Sequence, residues 1–313
     1  MSSAHNISSL TIWDIYVKSP SEMVGKVIVN TILLLFAMIG NIGIIVVLLK
    51  NKRFKVPTNE RYIISLAFAD LIVALFYIPV NVLTDYYKGL WILGPVACKL
   101  LNYIRLTAIT NVELTLVAVA VDRYLAICRP LYRSKSPDRT RNIIIGLWVL
   151  SAVLMTPYLY ILREEAFVFL DGSLTAHFCI RDYGSNIFKI IMVVFQLTAL
   201  YIIPLMIVIL SYFKVSLRIR ASITTSRNVM RKKQRAVICV IVITLVFIVC
   251  WTPVWTVQMY KELSSGYYSG WEKELLFWSV FVANISTIIH PMIYALFGQN
   301  LREKLRSSRT TSA

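Results

Sequence analysis

The sequence predicts an all-α membrane protein, a bundle of seven transmembrane helices with a short amphipathic helix after span seven. Hydrophobic residues make up 58% of the 313 residues, whereas a soluble domain contains about 45–50%. They also cluster into seven runs, each of which reaches the ~20 residues that a helix needs to cross the hydrocarbon core of a bilayer. In chain order these runs are 24–49, 61–87, 95–128, 142–162, 188–213, 236–260 and 274–297.

The distribution of Lys and Arg along the chain predicts the orientation of this bundle in the membrane. The chain has 33 Lys and Arg against 16 Asp and Glu, a formal net charge of +17. Segments 50–61, 129–141, 214–235 and 302–309 hold 22 of the basic residues and only three of the acidic ones. Because cytoplasmic segments of membrane proteins collect Lys and Arg, we expect a multi-pass plasma-membrane protein with its N-terminus extracellular and its C-terminus cytoplasmic. Basic residues that alternate between loops in this way argue against nucleic acid as a partner.

Three regions are expected along the chain. They are an extracellular tail over 1–23, the transmembrane bundle over 24–297, and the amphipathic helix with a cytoplasmic tail over 298–313. No N-terminal stretch looks like a cleaved signal peptide, so the first span is expected to direct membrane insertion. Asn6 begins an Asn-Ile-Ser sequon in the outer tail and is therefore a candidate for N-glycosylation.

Two of the five cysteines, Cys98 and Cys179, fall on the outer side of this topology. Cysteines in an oxidising compartment tend to pair, so we expect one disulfide that ties the loop between spans four and five to the start of span three. That loop, 163–187, is expected to form a short hairpin around Cys179. Its turn is expected at Asp171-Gly172-Ser173, between two apolar arms.

Each predicted span contains a polar residue or a proline that is costly in a bilayer. In chain order these are Gly40-Asn41, Leu66-Ala67-Phe68-Ala69-Asp70, Asp122-Arg123-Tyr124, Trp148 with Pro157, Pro204 with Tyr212, Phe247 with Cys250-Trp251-Thr252-Pro253, and His290-Pro291-Met292-Ile293-Tyr294. Any one of these residues could simply form a hydrogen bond to a neighbouring helix or kink the helix in which it lies. The complete set, in this order on seven spans, is a specific pattern.

On these motifs the sequence resembles the rhodopsin-like, or class A, G-protein-coupled receptors over residues 24–307. The segment FGQNLREKL after span seven resembles the family's short helix along the inner membrane face. Its apolar side would carry Phe297, Leu301 and Leu305, which are spaced four residues apart.

The resemblance implies a receptor that binds an extracellular ligand and activates heterotrimeric G proteins through outward motion of helix six. It implies no enzymatic activity, no cofactor and no metal, and it adds arrestin as a second cytoplasmic partner. By resemblance, Asp122 holds Arg123 at rest and releases it on activation, when Arg123 meets the G protein. The residues expected at this coupling site are Asp122, Arg123, Tyr124, Tyr212 and Tyr294.

Two further groups of residues follow from the resemblance. An internal polar cavity, which binds a sodium ion in many members, is expected around Asn41, Asp70, Ser286 and His290. An ionisable residue deep in a span, such as Asp70, is also a functional candidate on physical grounds. Prolines bend a helix because they remove a backbone hydrogen bond. The expected hinge and switch residues are Glu113, Pro204, Phe247, Pro253 and Pro291.

The sequence departs from the family pattern at four positions. His290 stands where members carry asparagine or aspartate before the proline, and Glu113 stands where they carry an aliphatic residue in the middle of span three. Arg105 lies inside the expected ligand pocket. Lys233 stands where some receptors carry an acid that locks Arg123, so that lock is not expected.

His290 admits two interpretations. It is either a neutral hydrogen-bonding substitute for asparagine or an internal cation that replaces sodium, because histidine titrates close to physiological pH. Val112, which takes the place of a hydroxyl residue, would also weaken a sodium site.

The departures narrow the class of ligand. Amine receptors need an aspartate where Arg105 sits, and opsins need a lysine where Asn284 stands. What remains resembles the peptide-receptor branch, supported by CKL at the head of span three, CWTP in span six and the long outer loop. The expected ligand-contacting residues are Arg105, Ile109, Trp251, Val254, Gln258, Glu262 and Val280.

A peptide would enter an open outer vestibule lined by Glu164, Glu165, Asp182 and Glu262, which suit a cationic or amidated ligand. Arg105, which lies deeper, suits a carboxylate or a carbonyl group. Taken singly, the four acids are equally compatible with ordinary solvated loop charges.

Two other functions stay open at this point. One is a class A receptor for a small anionic, lipid or odorant ligand that Arg105 would hold. The other is a seven-helix ion or proton transporter in which Asp70, Glu113 and His290 form a proton relay. The absence of inverted-repeat symmetry argues against a transporter.

Overall fold

The structure, a computed structural model, describes residues 20–50, 58–87, 90–131, 137–168, 175–220, 227–263 and 270–297. In this part of the chain seven helices are long and apolar enough to cross a membrane. The helices, called spans one to seven, are Ser21–Lys50, Glu60–Tyr86, Gly94–Cys128, Asp138–Ile161, Asn186–Ile219, Val237–Leu263 and Glu274–Leu296. The predicted all-α bundle of seven transmembrane helices is therefore confirmed.

The described residues form ten α-helices because several spans are interrupted. The first five helices are α1 Pro20–Lys50, α2 Thr58–Ile72, α3 Ile78–Tyr86, α4 Gly94–Cys128 and α5 Pro137–Met155. The remaining five are α6 Pro157–Ile161, α7 Asn186–Leu197, α8 Ile203–Arg220, α9 Arg227–Leu263 and α10 Gly270–Phe297.

Two spans contain a wide π-helical turn close to a proline. Val73–Tyr77 separates α2 from α3 just before Pro79, and Thr198–Ile202 separates α7 from α8 just before Pro204. A proline lacks the N–H that the regular ladder needs and crowds the preceding turn, so the hydrogen-bond register shifts there. Each shift redirects the side chains of one helical turn relative to the rest of its span.

Spans five and six belong to helices that continue further into basic sequence than the hydrophobic runs predict. The run of span five ends at 213, whereas α8 continues to Arg220. The run of span six begins at 236, whereas α9 begins at Arg227. Charged residues end an apolar run without ending a helix, because Arg and Lys are good helix formers.

Spans three and seven lie in the middle of the bundle. Of the residues in their most apolar windows 56% are buried, against 28% for span one and 17% for span four. The main buried cluster joins side chains of spans one, two, three, six and seven. The outward faces carry large exposed apolar residues such as Phe36, Val149 and Val249, as a surface in contact with lipid tails requires.

The loop between spans four and five forms the predicted hairpin. β1 (Leu162–Val168) pairs antiparallel with β2 (Thr175–Arg181), and Glu164 lies opposite Cys179. Cys179 forms the expected disulfide with Cys98, at the start of α4. The backbone N–H of Trp91 also donates to the carbonyl of His177 over 2.7 Å. The hairpin is thus fastened across the entrance of span three.

Several predictions fall outside the described residues. They concern the extracellular tail with Asn6, the turn at Asp171-Gly172-Ser173, and the amphipathic helix over 298–313. The backbone of Lys233 is helical, but its side chain is outside the described part of the chain.

Span one approaches span seven closely at Gly40. A β-carbon built on Gly40 would stand 2.9 Å from Cγ of Pro291 and 3.3 Å from its Cβ. A β-carbon on Gly43, nearly one turn later, would meet no atom within 4 Å. The missing side chain at Gly40 therefore lets the proline of span seven pack against the backbone of span one.

We expect Gly40→Ala to lower the thermal stability of the purified protein, because the proline ring cannot swing aside and overpacking costs about 1–3 kcal/mol. Gly43→Ala is the matched control. It removes a glycine from a helix interior without a clash and should leave stability unchanged or raise it by about 0.5–1 kcal/mol. Thermal unfolding in detergent measures both variants, and equal melting temperatures would contradict the close approach.

Candidate functional site

Asp70 of span two and His290 of span seven meet in the centre of the bundle. Nδ1 of His290 lies 2.9 Å from Oδ2 of Asp70, and the two residues are 1% and 2% exposed, respectively. A lone ionisable group at this depth is costly, and a partner at hydrogen-bond distance offsets much of that cost. The structure thus brings together the two ionisable residues of the predicted cavity.

Span seven makes further polar contacts within two helical turns of this pair. The indole N–H of Trp251 donates to Oγ of Ser286 over 3.2 Å. The amide of Asn41 donates to the carbonyl of Thr287 over 2.9 Å. Of the other two predicted cavity residues, Asn41 of span one therefore lies against span seven, and Ser286 of span seven faces span six.

Several buried polar atoms of spans one, three and seven have no hydrogen-bond partner within the described residues. They are Nε2 of His290, Nδ2 of Asn111, both amide atoms of Asn284, Oδ1 of Asn41 and the hydroxyl of Tyr294. Buried polar atoms are usually satisfied by protein or by ordered water, so these positions suit internal water. Sequence reasoning did not single out Asn111, although an asparagine inside an apolar run was the available signal.

The residues of this site do not fit a sodium ion well. Hard cations take oxygen ligands, and the imidazole of His290 already occupies one oxygen of Asp70. Val112, which is buried in the main cluster, carries only methyl groups and no oxygen. We infer that the His290 ring takes the place that an ion would otherwise hold beside Asp70.

The C-terminal end of span three carries three of the predicted coupling residues, Asp122, Arg123 and Tyr124. Nη2 of Arg123 lies 2.9 Å from Oδ2 of Asp122, and both side chains are largely buried. Tyr124 and Tyr212 pack in one apolar cluster between spans three, five and six. The hydroxyls of Tyr212 and Tyr294 and Nε of Arg123 are buried without partners. The arrangement matches the resting pair that the resemblance implies, with polar groups nearby that are free to make new contacts.

The hinge residues of spans three, five and six lie next to one another. The rings of Phe247 and Trp251 are stacked, 5.6 Å apart with an interplanar angle of 22°. Pro253 follows inside the same helix. Phe247 also lines a small cavity together with Glu113 and Pro204. A displacement of Trp251 would therefore directly shift the contact of span six with spans three and five.

The expected ligand-contacting residues divide into an apolar floor and a polar rim. Ile109, Trp251, Val254 and Val280 are buried and belong to the main buried cluster. Arg105 lies above them with its guanidinium carbon 4.4 Å from the centre of the Tyr77 ring, a cation–π contact. Its Nε is buried without a partner.

The polar rim contains one residue that sequence reasoning did not single out, Arg181 of β2. Its Nη1 donates to Glu262 over 2.9 Å, and its Nη2 donates to the side-chain oxygen of Gln258 over 3.4 Å. Burial disfavours the charge of Arg181, but Tyr158, Tyr183 and Glu262 together raise its pKa above the ordinary value. Arg181 therefore stays cationic and closes the rim between the hairpin and span six.

The acids of the expected vestibule are paired in the structure, which corrects the expectation of an open acidic entrance. Glu262 is held by Arg181. The other pairs are Glu164 with His177 at 2.6 Å, Asp182 with Arg163 at 2.7 Å, and Glu165 with Arg163 at 3.4 Å. The hairpin causes this pairing because it places basic residues of both strands beside the acids. The exposed pairs contribute little to stability, but a cationic ligand would have to compete with them.

A second ionic group, also missed by sequence reasoning, joins spans one, two and seven near their outer ends. The buried ammonium of Lys26 lies 2.6 Å from Glu274, 3.0 Å from Glu22 and 3.7 Å from Asp85. It also lies 4.4 Å from the centre of the Phe277 ring. This group fixes the outer end of span one against its neighbours.

Sodium provides a test of the central pair. We expect wild-type protein to show the same melting temperature in sodium chloride and in choline chloride, because His290 already compensates Asp70. The melting temperature of His290→Asn should be higher in sodium chloride than in choline chloride, since a ligand that binds only the folded state stabilises it.

Adding Asp70→Asn to His290→Asn is the control and should abolish the gain, because the carboxylate is then absent. A sodium-specific stabilisation of the wild type would contradict this interpretation.

Comparison with known proteins identifies the family. Residues 40–294 match the family described as 7 transmembrane receptor (rhodopsin family). The chain is 30% identical to a QRFP-like peptide receptor of Branchiostoma floridae, over 91% of this chain and 77% of that protein. It is 26% identical to neuropeptide FF receptor 2 of Mus musculus, over 94% of this chain and 74% of that protein. It is 30% identical to neuropeptide Y receptor type 2 of Homo sapiens, over 88% of this chain and 74% of that protein.

The match runs from the last third of span one to span seven and includes the motifs described above for each span. Members of this family are multi-pass receptors of the plasma membrane that couple to G proteins, and they are not enzymes. The chain therefore belongs to the rhodopsin family of seven-transmembrane receptors.

Proposed function

We propose that this receptor responds to an extracellular peptide that carries an arginine, an aromatic residue and an amidated C-terminus. Two kinds of relative support this ligand class by name, a QRFP-like peptide receptor and a pyroglutamylated RF-amide peptide receptor of Rattus norvegicus, the latter 27% identical to this chain. The term RF-amide itself describes arginine, phenylalanine and a terminal amide. The site offers a counterpart for each of these three groups.

The contact of Arg181 with Glu262 and Gln258 carries the proposal. In this contact a guanidinium already has a carboxylate and an amide oxygen as partners at the rim of the site. An arginine of the ligand has the same group and would compete for the same partners. Exchange of one guanidinium for another keeps Glu262 paired, so the cost of a lost partner falls on Arg181, whose side chain is 20% exposed, and not on the more buried Glu262.

The remaining two groups of the ligand would lie deeper. The apolar floor of Ile109, Trp251, Val254 and Val280 suits an aromatic ring, because ligand sites are mostly apolar with a few placed polar groups. Arg105, whose Nε–H has no partner, would donate to the carbonyl oxygen of the terminal amide. A neutral amide needs only this hydrogen bond and no full counter-charge.

The receptor would lie in the bilayer with its N-terminus and the β1–β2 hairpin extracellular and its C-terminus cytoplasmic. The distribution of Lys and Arg supports this orientation. The disulfide between Cys98 and Cys179 is consistent with it, because disulfides persist in oxidising compartments. On the inner side the G protein, and then arrestin, would contact the coupling residues around Arg123.

Signal transmission would run along span six. A ligand that touches Trp251 would shift the ring stacked on it, Phe247, and bias the bend at Pro253. Outward motion of the inner half of span six would then free Arg123 from Asp122. A ligand moves such an equilibrium only through contacts that differ between the two states, and the Trp251 contact is the one placed to do so.

A second candidate ligand is a small organic anion held by Arg105. One observation favours it, because Arg105 forms no ion pair with a carboxylate of the described residues. In this case the ligand would not need Glu262 at all, and Arg105→Gln would abolish the response to the anion.

The peptide proposal predicts a specific pattern in a cell-based G-protein reporter assay. Amidated peptides that end in Arg-Phe should activate the wild type, and replacing their arginine by neutral citrulline should lower potency about 30-fold or more, as expected when a buried charge pair loses one partner. Glu262→Gln should remove this difference between the two peptides. Glu165→Gln, a more exposed acid of the hairpin, is the matched control and should keep the difference.

Activation by a small organic acid or a lipid, with no response to any amidated peptide, would reject the peptide ligand in favour of the second candidate. If citrulline still lowers the potency of the peptide on Glu262→Gln, the assignment of Glu262 as the partner of the ligand's arginine is rejected instead.

A further inference from the structure

Glu113 is a buried acid for which the proposed peptide site has no use. It lies near the middle of α4 (Gly94–Cys128) and is 4% exposed. Its Oε1 has no hydrogen-bond partner, and it forms no ion pair with any described residue. An acid at this depth that lacks a partner is costly and is usually functional.

The carboxyl group of Glu113 borders a cavity of about 30 Å³ between spans three, five and six. The rest of the wall is almost entirely apolar and includes Leu116, Leu200, Pro204 and Phe247. The wide turn at Thr198–Ile202 contributes Leu200 and Tyr201 to this wall. The cavity is therefore a mostly apolar recess whose polar wall residues are Glu113, Tyr201 and Thr244.

The cavity faces the lipid side of the bundle and not the outer vestibule. Leu205 of span five and Ile248 of span six line it and are only half-buried. Beside them the exposed side chains are all apolar, with Met206 at 49%, Leu245 at 54% and Val249 at 68% exposure. A molecule dissolved in the bilayer would reach Glu113 through this seam between spans five and six.

No neighbouring group of the described residues compensates Glu113 from inside the protein. Thr244, the nearby hydroxyl in the wall, donates to the carbonyl of Val240 in its own helix over 2.9 Å. The hydroxyls of Tyr201 and Thr252 are 2.8 Å apart and hydrogen-bond each other. What the recess lacks is a hydrogen-bond donor, above all one with a positive charge.

We propose that this recess is a second ligand site, entered from the bilayer between spans five and six, for an apolar molecule with a primary amine head group. The nitrogen would lie against the Glu113 carboxylate, and the hydrocarbon body would lie along the exposed faces of spans five and six. An amine fits better than a hydroxyl because it can take up the proton of the Glu113 acid, and the resulting ammonium and carboxylate form charge-assisted hydrogen bonds, which are the stronger ones.

The size of the recess restricts the head group. A cavity volume of about 30 Å³ has room for about two water molecules, because about 10–15 Å³ of such space holds one. A primary amine fits into that space, whereas a trimethylammonium or a phosphate ester does not. An occupant would touch Phe247 and Pro204, so it would sit against the hinge without entering the peptide site.

The test uses purified receptor in lipid nanodiscs and a photoreactive long-chain primary amine with its reactive group next to the nitrogen. Labelled residues are identified by mass spectrometry. We expect labelling of spans five and six around Leu205 and Ile248, with competition by tetradecylamine and not by tetradecanol. Glu113→Gln should lower this labelling about tenfold or more, because the buried charge pair is lost.

Two further variants make the result decisive. Thr244→Val removes a second polar side chain of the wall and should keep the labelling. Leu205→Trp fills the mouth while Glu113 stays intact, and it should lose the labelling even where Glu113→Gln proves unstable. Equal labelling of wild type and Glu113→Gln, equal competition by tetradecanol, or labelling that survives Leu205→Trp would each overturn the proposal.

Discussion

The contact between Asp70 and His290 fixes span seven against span two, and the other polar contacts of span seven depend on the rotation that it sets. Apolar packing alone does not orient a helix in a bilayer, because lipid tails are as apolar as leucine side chains. Within residues 284–291, span seven presents His290 to Asp70, Thr287 to Asn41, Ser286 to Trp251 and Pro291 to Gly40. A small rotation of the helix would break all four contacts at once.

Ionic contacts hold the end of the bundle that carries the hairpin. Lys26 and Arg181 each hold a carboxylate there, and the disulfide pins the hairpin over the site. Buried polar atoms without partners occur at both ends of the bundle. They include Nε of Arg105 and the hydroxyl of Tyr183 near the hairpin, and the hydroxyls of Tyr212 and Tyr294 toward the other end. Unsatisfied groups gain free energy when they find partners, so the residues around Arg105 and those around Arg123 both have contacts to gain.

Much of the fold was predictable because the bilayer restricts the possible structures. Run lengths and the placement of Lys and Arg predicted the seven spans, and the resulting topology left two cysteines on the oxidising side. The contact of Asp70 with His290 was also predictable, because an ionisable residue inside a span needs a partner.

The rest depends on three-dimensional placement that a single sequence does not contain. Lys26 and Glu274 are 248 residues apart, and nothing local marks them as partners. Arg181 was overlooked because a basic residue in a polar loop is ordinary, although its place two residues after Cys179 put it above the ligand site. The sequence showed that Glu113 stands where family members carry an aliphatic residue, but only the structure shows the recess that it lines. Pro204 was a predicted hinge residue, whereas the π-helical form of the turns before Pro79 and Pro204 was not predictable from the sequence.

The most direct test of the central contact is a double-mutant cycle on thermal stability. It compares wild type, Asp70→Asn, His290→Asn and the double variant, in choline chloride so that no sodium intervenes. If the two side chains compensate each other, each single variant is destabilised and the double variant recovers part of the loss, with a coupling energy of about 0.5–3 kcal/mol. Strictly additive effects of the two single variants would contradict the account.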